Sequence, residues 1–96
     1  ALVKIYQQDI VKNLPENSIL VQLKYAGSNT DTAIVNDLYK FYQVSANILY
    51  GNIEILDHTP VGEMVVILSG EPGQLHRAIE AVTEARVEVT ILKGAN

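Results

Sequence analysis

The sequence contains no cysteine among its 96 residues. Disulfide bonds, thiolate catalysis and cysteine-ligated metal or iron–sulfur centres are therefore excluded from this chain. Basic residues are also scarce, because seven Lys and Arg stand against eleven Asp and Glu, for a net charge of −4. Since phosphate contacts need clustered positive charge, no nucleic-acid or anionic-membrane surface is expected. No apolar run approaches the roughly 20 residues of a membrane-spanning helix, and the start shows no signal-peptide pattern.

The chain does contain enough apolar residues for one small core. Hydrophobic residues make up 48% of it, which is too many for a disordered chain. A length of 96 residues corresponds to one domain. So much apolar surface in a short chain also suggests burial against a partner. The chain begins with Ala1 rather than Met, so we expect it to be a piece of a longer protein.

The hydrophobic periodicity predicts strands and helices in alternation. Alternating apolar residues predict four strands, at 18–25, 44–57, 62–69 and 87–92. Helical spacing predicts two amphipathic helices, one over 31–43 and one from Pro72 to Ala85.

The segments between these elements carry turn and cap signals. Asn29 or Thr30 is the expected N-cap of the first helix. The long second strand requires an irregularity near Gly51. Residues 58–61 are predicted to be a hairpin loop, because Pro60 cannot donate a ladder hydrogen bond.

The order strand, helix, strand, strand, helix, strand predicts an α+β fold, the ferredoxin-like split βαβ sandwich. Both helices should cover one face of the antiparallel sheet, because each crossover is right-handed. The other face is then predicted to be bare and to favour two-fold pairing with a second copy. Its candidate residues are Leu20, Val65, Ile67 and Leu92. Residues 1–17 are a lead-in, a short helix or an added strand, before a domain over 18–93.

No catalytic constellation is visible in the sequence. The turn at 70–73 lacks the Lys-Ser/Thr pair of a phosphate loop. His58 and His76 are isolated and are interpreted as surface residues rather than metal ligands. Glu54 and Asp57 should project from opposite faces of a strand, which does not suit a catalytic pair. These patterns favour a binding or regulatory module over an enzyme.

The most informative segment is the run Asn-Ile-Leu-Tyr-Gly-Asn-Ile-Glu at 47–54. Asn47 places an amide at the start of an apolar strand. An amide both donates and accepts hydrogen bonds, as recognition of a small zwitterion requires. A local cap or turn bond from Asn47 is the alternative, and on the residues alone it is the more common role.

The same run resembles the signature of the NIL domain, which is named after its Asn-Ile-Leu tripeptide. Residues 62–70 are similar to the family's following strand and turn, and 87–89 to its final strand. Such domains occur mainly at the C-terminus of the ATPase subunit of bacterial methionine-import ABC transporters, and a smaller group is joined to iron–sulfur ferredoxin modules. The resemblance implies a ferredoxin-like regulatory domain that pairs with its copy, binds L-methionine and slows import when internal methionine is high.

The resemblance also assigns ligand contacts by position. Asn47 is the first candidate, with Ile48 and Leu49 beside it, and this favours the ligand role of Asn47 over the cap. Tyr50 stands where many members of the family have a small polar residue.

The strand–helix turn supplies weaker candidates, Gly27, Ser28 and Asn29. They follow from analogy with the amino-acid-sensing ACT domains, which use this loop at a dimer interface. Backbone N–H groups at such a helix start suit a carboxylate.

The remaining implications concern the protein around the domain. No cofactor is expected in the domain itself, whereas ATP and Mg belong to a missing ATPase domain, to which residues 1–17 would be the linker. The implied partners are a second copy and, through the ATPase domain, a transmembrane permease subunit. The implied location is peripheral, on the cytoplasmic side of the bacterial cell membrane. The alternative function is a ligand-free structural dimerisation module of a larger protein.

Overall fold

The computed structural model describes residues 2–27 and 29–94. Two short helices, α1 (Leu2–Tyr6) and α2 (Asp9–Lys12), precede the first strand. The elements that follow are β1 (Ser18–Ala26), α3 (Asp31–Tyr42), β2 (Ser45–Leu56), β3 (Thr59–Ser69), α4 (Pro72–Glu84) and β4 (Glu88–Gly94). The strands form one antiparallel sheet in the order β2-β3-β1-β4. This architecture confirms the predicted ferredoxin-like α+β fold.

The two long helices begin at residues that suit a helix N-terminus. Thr30 caps α3, where its Oγ1 accepts a hydrogen bond from the N–H of Ala33 at 3.2 Å. Of the two caps that the sequence allowed, the structure therefore uses Thr30. Pro72 occupies the first turn of α4, where its missing N–H costs nothing.

One face of the sheet carries α3 and α4. The main core lies between this sheet face and the two helices, and both helices contribute to it, as the right-handed crossovers predict. Its buried residues are Val21, Leu23, Tyr25, Ile34, Leu38, Val44, Met64, Val66, Leu68, Leu75, Ala78, Val82 and Val87.

The opposite face is not bare, so that prediction is wrong. Residues 2–14, which we call the strap, lie across it. Ile5 is 4% exposed and Val11 is 0% exposed, and both pack in one cluster with Leu20, Val65 and Ile67. Leu14 and Leu92 pack against the same cluster. The predicted residues do share this face, but the chain covers them with its own lead-in.

The β2–β3 hairpin contains a bulge. β2 has 12 residues and β3 has 11, so one residue of β2 lacks a partner. Ile48 is opposite Val66 and Tyr50 is opposite Val65, which leaves Leu49 as the inserted residue. The irregularity predicted near Gly51 therefore falls two residues earlier. Gly51 is regularly paired, and a Cβ there would lie 4.0 Å from the Glu63 carbonyl oxygen, so this position does not need glycine.

The hairpin turn is shorter than the predicted loop over 58–61. Asp57 and His58 form a two-residue turn with φ of 49° and 65°, as a type I′ turn requires. Thr59, Pro60 and Val61 belong to β3 instead. The Pro60 carbonyl accepts a hydrogen bond from the Gly27 N–H at 3.0 Å, and in a strand the N–H of a residue points to the same side as its carbonyl. Its missing donor therefore falls on the side where β1 ends and not in the β2–β3 ladder.

Candidate functional site

Asn47 lies on β2, at an edge of the sheet, directly opposite Ile67. It is exposed and faces the side of the sheet that carries the strap. Within 2–27 and 29–94, its side chain makes no hydrogen bond. The local cap or turn bond that was the alternative explanation is thus not observed there. The amide is available to a ligand.

The bulge places apolar side chains next to this amide. Leu49 and Tyr50 are half-buried and pack against the cluster under the strap. Ile48 is opposite Val66 and points to the other face, where it is 44% exposed. Of the tripeptide, Asn47 and Leu49 therefore share a face. The result is an amide beside a small apolar surface, a combination that suits an amino acid with an apolar side chain.

The strand–helix turn uses its polar groups within the fold. Gly27 has a φ of 68°, and its N–H donates to the Pro60 carbonyl at 3.0 Å. Asn29 donates from Nδ2 to the carbonyl of Ala85, just after α4, at 3.0 Å. Ser28 lies outside the described residues. The Gly27 N–H and the Asn29 Nδ2 therefore already have partners within the fold.

A single chain does not bring the two groups of predicted site residues together. Asn47 is level with Ile67 on β3, whereas Ala26, just before the turn, is level with Val61. Six residues of strand separate these levels, or about 20 Å at the usual rise. The turn and the Asn47 segment are consequently separate places on the domain.

A polar groove on the same face as Asn47 was not predicted from the sequence. Its volume is about 230 Å³, and its lining residues include Lys24, Asn52, Glu54 and Glu63. Gln22 donates to Glu63 at 3.2 Å, next to this groove. The polar alternation at Gln22 and Lys24 on β1 was the available signal, but only the strand register shows which residues face them. The groove offers charges of both signs beyond the end of the strap.

A second cleft, between α3 and α4, is mainly apolar and has a volume of about 170 Å³. Its walls include Ile34, Phe41 and Val82, and Asp37 also lines it. The bond from Asn29 to Ala85 joins the β1–α3 turn to the chain after α4 beside this cleft. The cleft lies on the helix side of the sheet, so it is not continuous with the Asn47 surface.

The titratable groups form no catalytic or metal-binding cluster in the described part of the chain. No group of three or more His, Asp or Glu residues there could hold a metal ion. His76 and Glu80 are 2.7 Å apart on the exposed face of α4. Burial, and secondarily the negative charge of Asp31, raise the pKa of Tyr25 above its ordinary value of 10.0. None of the helices over residues 2–27 and 29–94 is long and apolar enough to span a membrane.

Comparisons with known proteins identify relatives over nearly the whole chain. The family model of the NIL domain matches residues 19–91. The Methionine import ATP-binding protein MetN of Streptococcus pneumoniae is 64% identical over 94 residues, which are 98% of this chain and 27% of that protein. The protein of the same name from Streptococcus mutans is 62% identical over 93 residues, which are 97% of this chain and 26% of that protein. The chain thus spans about a quarter of the length of these relatives.

A solved structure is also similar to this chain over nearly its whole length. The C-terminal domain of an ABC transporter ATP-binding protein from Enterococcus faecalis superposes with a TM-score of 0.72 at 26% sequence identity. The match covers 96% of each chain, so the strap side and the helix side are both included in the compared length.

Proposed function

The chain belongs to the NIL domain family, and on that premise we propose that it is the regulatory C-terminal domain of a methionine ABC importer ATPase subunit. In this role it binds L-methionine and inhibits transport when internal methionine is high. The streptococcal relatives, which are methionine import ATP-binding proteins, and the enterococcal C-terminal domain support the assignment to such a subunit. ATP and Mg then belong to the remaining three quarters of the subunit, and the domain itself is not an enzyme. The permease partner and the position on the cytoplasmic side of the membrane follow from the same proposal.

The observation that carries the proposal is the surface at the bulge. Asn47 presents an amide without a partner among the described residues, and Leu49 and Tyr50 add apolar surface on the same face. The zwitterion of an amino acid needs donors and acceptors, while a thioether side chain needs an apolar contact. Asn47 provides the donor and acceptor and Leu49 provides the apolar contact, within three residues of strand.

A second copy is proposed to pair along β2. Among the described residues this strand has a neighbour on one side only, and it carries the exposed residues Ile48, Ile53, Ile55 and Leu56. Long apolar edge strands are normally paired or covered. Because the strap already occupies the free sheet face, the edge is the more suitable surface for a two-fold dimer. Asn47 lies on this edge, so a ligand bound there is beside the seam.

The proposed regulation is a shift between two arrangements of the subunits. A ligand beside the seam that binds one arrangement more tightly raises the population of that arrangement. In the importer, this arrangement would hold the two ATPase domains apart. The effect on transport requires the rest of the subunit.

Calorimetric titration of L-methionine into the purified chain tests the proposal, with leucine and alanine as controls. Saturable binding near one ligand per chain is expected for methionine only. Asn47→Ala should abolish binding, whereas Asn52→Ala, an exposed asparagine on the same face of the same strand, should retain it. Sedimentation should find Asn47→Ala as dimeric as the unmodified chain. Binding that survives Asn47→Ala would contradict the assigned site.

The alternative is a ligand-free dimerisation module, which the exposed apolar edge of β2 also favours. It predicts a dimer in sedimentation but neither heat nor thermal stabilisation with methionine. Sedimentation gives a dimer in both cases, so the response of the unmodified chain to methionine separates the two functions.

A further inference from the structure

We infer that the strap and the Asn47–Tyr50 segment are one coupled unit. A ligand bound at Asn47 holds the strap on the sheet, and release of the strap lowers the affinity for the ligand. The identity of the ligand rests on the function proposed above, whereas the contact between strap and bulge does not. With residues 1–17 as the linker that the family resemblance implies, the strap connects the ligand site to the ATPase domain.

The strap keeps its shape only while it is docked. Its helices α1 and α2 have five and four residues, far fewer than an isolated helix needs in water. Docking buries Ile5 and Val11 almost completely, while Lys4 and residues 6–10 stay exposed. Among the side chains that the structure describes, few attach the strap to the sheet, and none of these belongs to the core under α3 and α4.

A single ammonium group fastens the end of the strap. Lys93 on β4 donates from Nζ to the carbonyls of Val11 at 2.8 Å and of Lys12 at 3.2 Å. Tyr6 adds a longer bond of 3.4 Å from its hydroxyl to the carbonyl of Leu92. These contacts hold the strap in one position relative to the sheet.

The bulge touches the same apolar cluster as the strap. Leu49 and Tyr50 pack against the cluster that contains Ile5 and Val11. As the inserted residue, Leu49 has no partner on β3, so its position depends on side-chain packing more than on the ladder. A ligand that binds Asn47 beside this bulge therefore favours the docked strap. By linkage, docking of the strap must raise the affinity for the ligand by the same factor by which the ligand favours docking.

Amide hydrogen exchange reports the opening of the strap. The N–H groups of Val11 and Lys12 donate to the Gln8 carbonyl, each at 3.0 Å, and lose this protection when the strap leaves. Val11→Asp places a charge at a fully buried position and should release the strap. Ile10→Asp makes the same change at a neighbouring residue that is 38% exposed and should not release it.

The coupling is measured with L-methionine on the same three proteins. We expect saturating methionine to slow strap exchange in the unmodified chain at least fivefold, within the usual range of coupling between sites. Val11→Asp should raise the Kd for methionine by that same factor, and Ile10→Asp should leave the Kd unchanged. Circular dichroism should find the sheet and the long helices intact in both variants.

Each outcome decides one of the two claims. A released strap in Val11→Asp with an unchanged Kd would overturn the coupling and leave the proposed function standing. If the unmodified chain binds no methionine, the proposed function fails, and Leu49→Ala then tests the contact itself. Faster strap exchange in Leu49→Ala would support the coupling of bulge and strap, and unchanged exchange would overturn it.

Discussion

Gly62 lies against the ring of Tyr25, and replacing it with alanine should destabilise the fold. A Cβ at Gly62 would lie 2.5 Å from Cε2, 2.7 Å from Cζ and 3.0 Å from the hydroxyl oxygen of Tyr25. Ordinary contact needs about 3.5–4 Å, so the ring must move by about 1 Å. Tyr25 is only 5% exposed and belongs to the main core, so moving its ring disturbs packed side chains.

The expected loss follows from two opposing terms. Forcing extra volume into a filled core costs about 1–3 kcal/mol. Alanine also lowers the conformational entropy of the unfolded chain, which stabilises the folded state by about 0.4–1 kcal/mol. Gly62→Ala should therefore lower the free energy of unfolding by about 1–2 kcal/mol, which corresponds to roughly 5–15 °C in Tm for a domain of this size.

Urea denaturation followed by circular dichroism measures the difference, and a double-mutant cycle assigns its cause. In a Tyr25→Leu background the ring is absent, so Gly62→Ala should cost less than about 0.5 kcal/mol if the clash is the whole effect. Gly51→Ala is the matched control, because its Cβ meets only the Glu63 carbonyl oxygen, at 4.0 Å. Equal destabilisation by Gly62→Ala in both backgrounds would refute the argument.

Three further changes have predicted effects on stability. His58→Gly should stabilise the domain by about 0.5–1 kcal/mol in urea denaturation, because glycine adopts the positive φ of 65° without strain. Thr30→Ala should cost about 1 kcal/mol, measured in the same way, since the N–H of Ala33 loses its cap. The raised pKa of Tyr25 means that the folded state favours the neutral phenol. The contribution of this phenol to the free energy of unfolding is therefore complete below pH 10 and is lost as the pH rises through the folded pKa. Tyr25→Phe should therefore lose less stability than the unmodified chain between pH 9 and pH 11 (roughly the range around an ordinary tyrosine pKa), and an equal loss would contradict the assignment.

Hydrophobic periodicity was sufficient to predict the sheet and the two long helices. The alternation over 18–25 became β1 (Ser18–Ala26), and the helical stripe over 31–43 became α3 (Asp31–Tyr42). Each of these segments buries the continuous face that its pattern predicts, so local pattern and final packing agree. The order of such elements then allows few topologies.

The position of the strap could not be predicted from local pattern. Ile5 and Val11 lie in helices of five and four residues, which are too short to show a clear period. Their structure depends on the apolar face formed by Leu20, Val65 and Ile67, which exists only after the sheet has assembled. Residues distant in sequence thus decide whether the face is bare or covered.

The turn and the bulge were misplaced for a different reason. Glycine and proline are the strongest local signals of irregular backbone, and they drew the expectation toward Gly51 and Pro60. The structure instead places positive φ at Asp57 and His58 and the inserted residue at Leu49. Leu49 and Tyr50 pack against the cluster under the strap, which accounts for the bulge, whereas the turn follows from the register of β2 on β3.

The bulge also explains how one strand can present both halves of the candidate site. In a regular strand, residues 47 and 50 point to opposite faces, because the period is two. The inserted Leu49 changes this parity, so that Asn47, opposite Ile67, and Tyr50, opposite Val65, face the same side. A one-residue slip of β2 would turn Asn47 toward the helices and expose the apolar side chains next to it. The bulge therefore fixes the amide beside the strap and on the edge where a second copy would pair, and the proposed site depends on this register as well as on the Asn47 side chain.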